Sequence, residues 1–526
     1  MNTLDWTAIN IDKNDLDLIY NRLLEKEIPM TPLQLAGSVI ESRIKKYKQK
    51  ADEDSVSEDQ YYRPRKVYKA GDEIEFPLND GAKGVVESVR PGVNPALGDF
   101  SVITVVMEDG SKKNFASGLA SHKLNDYDYD NPDPKLTDSK HVFKKFGRQI
   151  GKKIAAILSA NEDLVRIGSF WFPQALLTEV NPGYLNLAEA VLEMEEGRPL
   201  TTEEILEQID YPVDSNSELT IFSFNYAMQR DNRFAEVGPS WTILWTLREM
   251  QPEDVRKIPM TLKVNEISLP QNYESIDFEA IPNGNIQDEL EENLLVEPLE
   301  TVDSFRVCVS YPHWKAGTLP LIGSLQSIFP TANETDNVIF TFRDARNSET
   351  FPGWVIISKN YVCGLKQWYR NNGIIPGSIF NVKRTEDPGI IEVELIPPRA
   401  SKDWIRSFIV DAKNHFSFVT NQHKVTTEFD ERMAIYVENS PQLDTFWEAN
   451  NRKESNVSKQ LELVFRELSK DNPQGIIHFN ELYAAMNMLR RIPPRLLYAI
   501  LMQDVSIRQI DRMYFKLIEK DEEENV

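Results

Sequence analysis

The sequence predicts a multi-domain α+β protein. Its 526 residues exceed one ordinary core, since a domain commonly contains about 100–200 residues. The spacing of apolar residues changes several times along the chain, from the helical period to the two-residue period of strands and back. Acidic stretches that are poor in lysine and arginine separate these regions. We therefore expect several small modules joined by acidic connectors.

The charge distribution supports this division. The chain has 59 Lys and Arg against 82 Asp and Glu, a net charge of −23. Nearly all of this charge lies in four segments, which are 51–60, 126–138, 264–305 and 519–526. The third segment has eleven acids and no lysine or arginine, so we expect 264–305 to be an acidic linker between two independently folded halves.

Composition also excludes some classes of protein. Two cysteines, Cys308 and Cys363, are too few for a disulfide framework or a thiolate zinc site. No apolar run approaches the ~20 residues that span a bilayer, and the first residues lack the order of a signal peptide. We expect a cytoplasmic protein whose modules fold by apolar burial alone.

Residues 1–50 are predicted to form a helical hairpin or half of a helix-turn-helix unit. Apolar residues recur at helical spacing within 16–23 and within 35–44, and Pro29 and Pro32 interrupt the pattern between them.

Residues 61–125 change to the two-residue period. The predicted strands are 72–76, 84–89, 100–107 and 112–115. Asp109-Gly110 indicates a type I′ hairpin. This density of short strands favours an SH3-like small barrel, and the order Gly71-Asp72, apolar strand, Gly84-Val-Val resembles the KOW-type barrels of transcription elongation and ribosomal proteins.

Residues 139–250 are predicted to be a helical region that contains a winged helix at 183–250. Thr201 and Glu204 have the spacing of a capping box. The order of a helix, an "RPLTTEEI" helix, an aromatic helix ending "YAMQRDNRF", then "AEVG" and a strand resembles the HARE-HTH family, found in the RNA polymerase delta subunit. The third helix departs from a DNA-reading helix because acidic residues offset Arg230 and Arg233, which leaves a protein contact open.

Residues 306–436 are strand-rich. Strands near 338–344 and 351–356 precede a short helix after Gly364, a turn at Asn371-Asn-Gly, and another strand. This order resembles the B3-type DNA-binding pseudobarrel, to which 404–436 is expected to add strands.

Residues 455–518 are predicted to form a C-terminal helical domain, open to interpretation as a second winged-helix-like unit. Its last helix opens at Pro493-Pro494, where the missing N–H groups cost nothing.

No pattern in the sequence indicates catalysis. The histidines are not paired at metal-binding spacing, and phosphate-binding glycine loops and nucleophile elbows are absent. Asp387, Glu392 and Glu394 are the nearest approach to a nuclease carboxylate cluster, but a solvated strand face explains them better. We expect no enzyme activity, cofactor or metal, and a metal-dependent nuclease is the least favoured alternative.

Basic residues are the candidate contact sites for nucleic acid or a protein partner. Five lie on one helix opposite its predicted apolar residues Phe143, Phe146, Ile150, Ile154 and Ile157: Lys140, Lys144, Lys145, Arg148 and Lys152. The others are Arg230 and Arg233 at the winged helix, and Lys366, Arg370, Lys383 and Arg384 around the helix and last strand of the pseudobarrel.

Two functional hypotheses follow. The first is a transcription-associated or nucleic-acid-associated binding adaptor, with nucleic acid, RNA polymerase or another protein as partner, which gains affinity by linking weak sites. The second is a protein-interaction scaffold of a regulatory or defence complex that does not touch nucleic acid. An ordinary exposed face remains the simplest interpretation of each basic group.

Overall fold

The computed structural model is a mixed α+β architecture with several separate sheets. It describes residues 6–54, 61–79, 81–94, 97–125, 134–212, 216–265, 273, 276, 286–290, 301–438, 441–452 and 456–518. These form two compact units, of which the first comprises Met1–Thr178 and Val213–Phe222 and the second Glu179–Pro212 and Ser223–Val526. The residues described on both sides of 264–305 belong to the second unit.

Three helices form part of the first unit. They are α1 (Lys13–Lys26), α2 (Pro32–Asp54) and α3 (Ser139–Leu158). α2 and α3 pack closely, since a Cβ placed on Gly151 of α3 would lie 3.4 Å from the carbonyl oxygen of Pro32, which is van der Waals contact. The helical hairpin of the sequence prediction is thus completed by a third helix from a distant part of the chain.

A four-stranded antiparallel sheet also lies in the first unit. Its strands, in both chain order and sheet order, are β1 (Glu73–Phe76), β2 (Ala82–Pro91), β3 (Ser101–Met107) and β4 (Lys112–Ser117). They lie where the two-residue period predicts them. The turn between β3 and β4 is not the expected type I′ turn, which needs a positive φ at both central residues: Gly110 has one and Asp109 does not. The loop also has three residues, Glu108 to Gly110, because Met107 bonds to Ser111 across it.

A hairpin follows α3, where the sequence predicts helix. Its strands are β5 (Leu164–Ile167) and β6 (Phe170–Pro173). Gly168, with φ +59°, reverses the chain between them, and Trp171 and Phe172 are buried. Within the predicted helical region 139–250, the segment that follows Leu158 therefore forms two strands instead of continuing as helix.

The second unit begins with a small sheet and helices. The helices are α4 (Pro182–Met194), α5 (Thr202–Gln208), α6 (Ser217–Arg230), which crosses the boundary between the units, and α7 (Glu253–Arg256). The strands β7 (Leu200–Thr201), β8 (Phe234–Glu236) and β9 (Leu244–Leu247) pair in the order β7-β9-β8. The capping box of Thr201 and Glu204 is present. The segment Trp241-Thr-Ile-Leu-Trp245 is predicted from the sequence to form a wing strand with Trp241 in the core, but Trp241 precedes β9 and is 51 % exposed.

A nearly closed, barrel-like sheet of seven strands follows. The strands are β10 (Ser304–Cys308), β11 (Thr318–Pro320), β12 (Asn337–Asp344), β13 (Thr350–Ile356), β14 (Tyr361–Cys363), β15 (Ile379–Arg384) and β16 (Ile390–Leu395). Their order is β10-β15-β16-β12-β13-β14-β11, with β12 and β16 parallel. Two short helices, α8 (Tyr311–Ala316) and α9 (Lys366–Asn371), connect strands. Buried aromatic residues such as Phe342 and Phe380 fill its core.

Residues 404–436 do not extend this sheet, contrary to the sequence prediction. The strands β17 (Lys402–Val410), β18 (Phe416–Lys424) and β19 (Ile435–Val437) form a separate sheet in the order β18-β17-β19. The physical reason is that Phe408 of β17 pairs with Phe418 of β18 and packs on Phe446 of α10 (Pro441–Asn450). Their apolar face packs on this helix, in a core cluster that also includes Cys308 and Ile379 of the barrel-like sheet.

The sequence predicts a helical domain, open to interpretation as a second winged-helix-like unit, at 455–518, and the structure has three helices and three strands there. It comprises α11 (Val457–Leu468), β20 (Ile476–His478), α12 (Phe479–Leu489), α13 (Pro494–Gln503), β21 (Ile507–Asp511) and β22 (Tyr514–Leu517). The sheet order is β20-β22-β21. This helix–strand–helix–helix–strand–strand order, with the third strand central, repeats the arrangement from α4 to β9.

Candidate functional site

Five of the predicted contact residues lie on the exposed face of α3. Lys140, Lys144, Lys145, Arg148 and Lys152 are all exposed. The opposite face is buried through Val142, Phe146, Ile150, Ile154 and Leu158. The buried apolar residues differ from the predicted ones at both ends of the helix. Phe143, predicted to be buried, is 37 % exposed, whereas Val142 and Leu158 are buried. The packed face fixes the helix so that its cations point into solvent.

Carboxylates do not neutralise this face within the part of the chain that the structure describes. α3 itself contains no Asp or Glu, and none of Lys140, Lys144, Arg148 or Lys152 forms an ion pair with a described residue. Lys153, one position further, instead donates to the carbonyl oxygen of Ile9 at 2.6 Å. Lys145 lies over the Phe146 ring, 5.1 Å from its centroid. The other four cations, from Lys140 to Lys152, span about 18 Å along the helix axis, at a rise of about 1.5 Å per residue.

Arg230 and Arg233, at the end of α6, have different environments. Arg230 is exposed, and its guanidinium lies over the Tyr226 ring at 5.6 Å. Arg233 pairs with Asp231 at 2.6 Å and with Glu189 of α4. The hydrogen bond to Asp231, with a smaller contribution from Glu189, raises the pKa of Arg233 further above its ordinary value. Arg233 therefore joins α4 to the end of α6. Since two carboxylates pair with it, it is a weaker candidate than Arg230 for contact with nucleic acid or a protein partner.

A basic pocket in the second unit is lined by Lys366 and Arg370 of α9. The cavity has a volume of about 520 Å³, and its lining also includes Lys315 of α8, Arg346 after β12, and Lys424 at the end of β18. Its lining contains no Asp or Glu. The sequence prediction missed the last three cations because they come from separate elements, and residues so far apart in the chain leave no local pattern.

Lys383 and Arg384 are not part of this pocket. Lys383 pairs with Glu394 on the adjacent strand β16 at 2.6 Å, and Arg384 donates to the carbonyl oxygen of Ser327. The ion pair and the hydrogen bond to Asn381 lower the pKa of Glu394. The predicted basic group around the barrel thus separates into two pocket residues and two residues with local partners.

Comparison with known proteins gives no family assignment. No family model matches the chain, and searches of curated proteins and of solved structures find no match. The geometry therefore has to carry the functional argument.

The acidic and histidine residues give no metal centre in the described ranges. No group of three or more His, Cys, Asp or Glu among them could hold an ion. Glu392 pairs with Arg343 at 2.8 Å, and Asp387 accepts from the N–H of Gly389. Among the described residues, no helix is long and apolar enough to cross a membrane.

A buried ionic cluster in the second unit was not predicted. Arg491 contacts both Asp288 and Glu289, and Glu289 also contacts His313 at 2.6 Å. All four side chains are at most 4 % exposed. Burial opposes ionisation of Glu289, but Arg491 and His313 outweigh it and lower the pKa of this carboxyl. The cluster is closed to solvent, and it joins α8, the segment 286–290 and the connection between α12 and α13.

Proposed function

We propose that the protein is a non-catalytic, cytoplasmic binding adaptor that associates with nucleic acid or the transcription machinery through several modules. The exposed face of α3 carries the proposal. Its four cations that form no ion pair with any described residue lie on one side of a helix whose other side is buried, so folding itself fixes the positive surface. These cations extend over about 18 Å of helix axis, which equals the length of roughly five base pairs of duplex. Over that length the two strands together have one phosphate about every 1.7 Å of duplex axis.

The module assignments support this function by analogy of fold. We infer an SH3-like or KOW-like barrel from β1 to β4, a HARE-like winged helix from α4 to β9, and a B3-like pseudobarrel from β10 to β16. The arguments are the sequence resemblances together with the strand orders of the three sheets. Fold analogy alone does not carry function, so the α3 face remains the deciding observation.

The third helix of each six-element module favours a second candidate, a protein-interaction scaffold. α6 has a single cation, Arg230, and α13 has a single cation, Arg495. In α13 the side chains of Leu496, Leu497 and Tyr498 are buried. Neither helix therefore offers the basic surface with which a winged helix contacts a DNA groove, and both modules are better suited to contacts with protein.

Recovery of partners with and without nuclease distinguishes the two functions. The full chain and a variant with Lys144→Ser, Arg148→Ser and Lys152→Ser are used to isolate partners from cell lysate. The adaptor predicts co-purified nucleic acid, or RNA polymerase subunits, that are lost or reduced in the variant. Equal recovery of a set of unrelated proteins by both chains, with no nucleic acid, would favour the scaffold and contradict the adaptor.

A further inference from the structure

The basic pocket has more positive charge than its ion pairs neutralise. Lys315 pairs with Asp444 at 2.5 Å and Arg346 with Asp344 at 3.1 Å. The other three cations, Lys366, Arg370 and Lys424, are exposed and form no ion pair with any described residue. Like charges that face one cavity repel each other, and an anion bound among them relieves this repulsion.

Hydrogen bonds hold the pocket wall in place without a ligand. Thr426 donates from its hydroxyl to the carbonyl oxygen of Asn372 at 2.6 Å. Trp314 donates from its indole nitrogen to the carbonyl oxygen of Ile374 at 2.6 Å. Arg346 donates to the side-chain oxygen of Asn372. The strand, helix and loop that bear the cations are therefore tied together, which lowers the entropy lost on binding.

The dimensions of the pocket indicate the class of ligand. A volume of about 520 Å³ falls within the range of roughly 300–1,000 Å³ typical of small-molecule sites and exceeds what a single inorganic anion fills. Besides the cations, Trp314, Ile374 and Tyr436 line it. The cations suit phosphate oxygens and the apolar and aromatic wall suits a ring, because every nucleobase presents a π-face for stacking.

We propose that the basic pocket binds the phosphate groups of a nucleotide, either a free nucleotide or the phosphorylated end of a nucleic-acid strand. Lys366, Arg370 and Lys424 bind the phosphate oxygens, and the wall at Trp314 and Tyr436 receives the base. This site is separate from the α3 face and does not depend on it.

The test measures binding to the full chain by calorimetry. The ligands are ATP, AMP, inorganic phosphate, a short oligonucleotide with a 5′-phosphate and the same oligonucleotide without it. The pocket variant has Lys366→Ser, Arg370→Ser and Lys424→Ser. The charge-matched control has Lys263→Ser, Lys413→Ser and Lys459→Ser, three exposed lysines of the same unit that lie outside the pocket lining. The α3 variant is a second control.

We expect the pocket variant to weaken binding of ATP by about tenfold or more, or to remove a preference of that size for the oligonucleotide with a 5′-phosphate over the same oligonucleotide without it. The charge-matched control should bind every ligand like the wild type, and the α3 variant should keep the wild-type affinity for ATP and the wild-type preference for the 5′-phosphate. A preference for ATP identifies a free nucleotide, and a preference for the 5′-phosphate identifies a strand end. Loss of ATP binding, or of the preference for the 5′-phosphate, in the α3 variant but not in the pocket variant would overturn the pocket. Absence of binding by the wild type at low salt would also overturn it.

Hydrogen exchange on the wild-type chain gives an answer that does not depend on the fold of a variant. Addition of ATP or the phosphorylated strand should slow amide exchange in 366–375 and 424–426, and ATP should leave exchange in 139–158 unchanged. Unchanged exchange around the pocket at saturating ligand would contradict the proposal.

Discussion

Arg491 donates from its two terminal nitrogens to the two oxygens of Asp288, at 2.7 and 2.6 Å, and neither side chain is exposed. Arg491 lies between α12 and α13, whereas Asp288 belongs to 286–290, inside the segment with the strongest excess of acid. Tyr483 of α12 donates to the same carboxylate at 2.6 Å. These bonds hold at least this part of the acidic segment inside the second unit.

Loss of the Arg491 side chain should destabilise the second unit strongly. Arg491→Met leaves Asp288 and Glu289 buried without their cation, and removing one partner of a buried pair typically costs about 3–5 kcal/mol. Arg508→Met, at an exposed position without an ion pair in the described ranges, should change stability by no more than about 0.5 kcal/mol. Denaturant unfolding of the full chain, followed by tryptophan fluorescence, measures both. Equal midpoints for the two variants would show that the cluster does not hold the fold.

The acidic segment shows what a charge count along the sequence misses at 286–290. A charge count along the chain compares an acid only with bases close to it in sequence. Asp288 and Glu289 are instead neutralised by Arg491, about two hundred residues later. The rest of 264–305, apart from 264–265, Tyr273, Ile276 and 301–305, lies outside the described residues, so the linker prediction is untested there.

Phe222 and Trp241 should respond differently to truncation. Phe222 is 4 % exposed and meets the Phe172 ring edge-on at 6.1 Å, whereas Trp241 is 51 % exposed. We expect Phe222→Ala to cost about 3–5 kcal/mol and Trp241→Ala less than about 1 kcal/mol. The full chain is required because Phe172 lies outside 180–250. Thermal unfolding with equal shifts for the two variants would contradict the assigned burial.

Glu236 should make the stability of the second unit fall with rising pH. Burial, assisted by nearby Glu334, raises the pKa of Glu236 from its ordinary value of 4.5 to about 7. An acid with a higher pKa in the folded state binds more protons when folded, so the free energy of unfolding decreases as pH rises through this window. The decrease is at most about 3 kcal/mol.

Glu236→Gln tests this dependence. The variant should be more stable than the wild type at about pH 8 and show little difference at about pH 5. Glu249→Gln, at an exposed position, is the matched control. Parallel pH profiles for wild type and Glu236→Gln would mean that Glu236 is ionised without cost in the folded chain.

The accuracy of the sequence predictions follows the range of the interactions. The period of two located β1 to β4, and the helical period located α3 and its exposed cations, because both depend on neighbours within a few residues. The separate sheet of β17 to β19 depends on Phe446, and the pocket depends on Lys315, Arg346, Lys366 and Lys424 meeting from four elements. The local spacing of apolar residues contains no information on contacts between distant parts of the chain. These two features were therefore found only in the structure.

The most direct measurement of the adaptor function is the salt dependence of nucleic-acid binding. Fluorescence anisotropy with short duplex and single-stranded probes is recorded across a salt series for the wild type and for Lys144→Ser, Arg148→Ser, Lys152→Ser. The control has Lys13→Ser, Lys26→Ser and Lys69→Ser, exposed lysines elsewhere in the first unit. Each lost phosphate contact lowers the slope of log affinity against log salt by about 0.7–0.9.

We expect the slope of the α3 variant to fall by about two to three units, with unchanged circular dichroism, and the slope of the control to match the wild type. The apolar face of α3 is untouched by these changes, so the fold should persist. A wild-type chain that binds neither probe at low salt, or an α3 variant with the wild-type slope, would contradict the account.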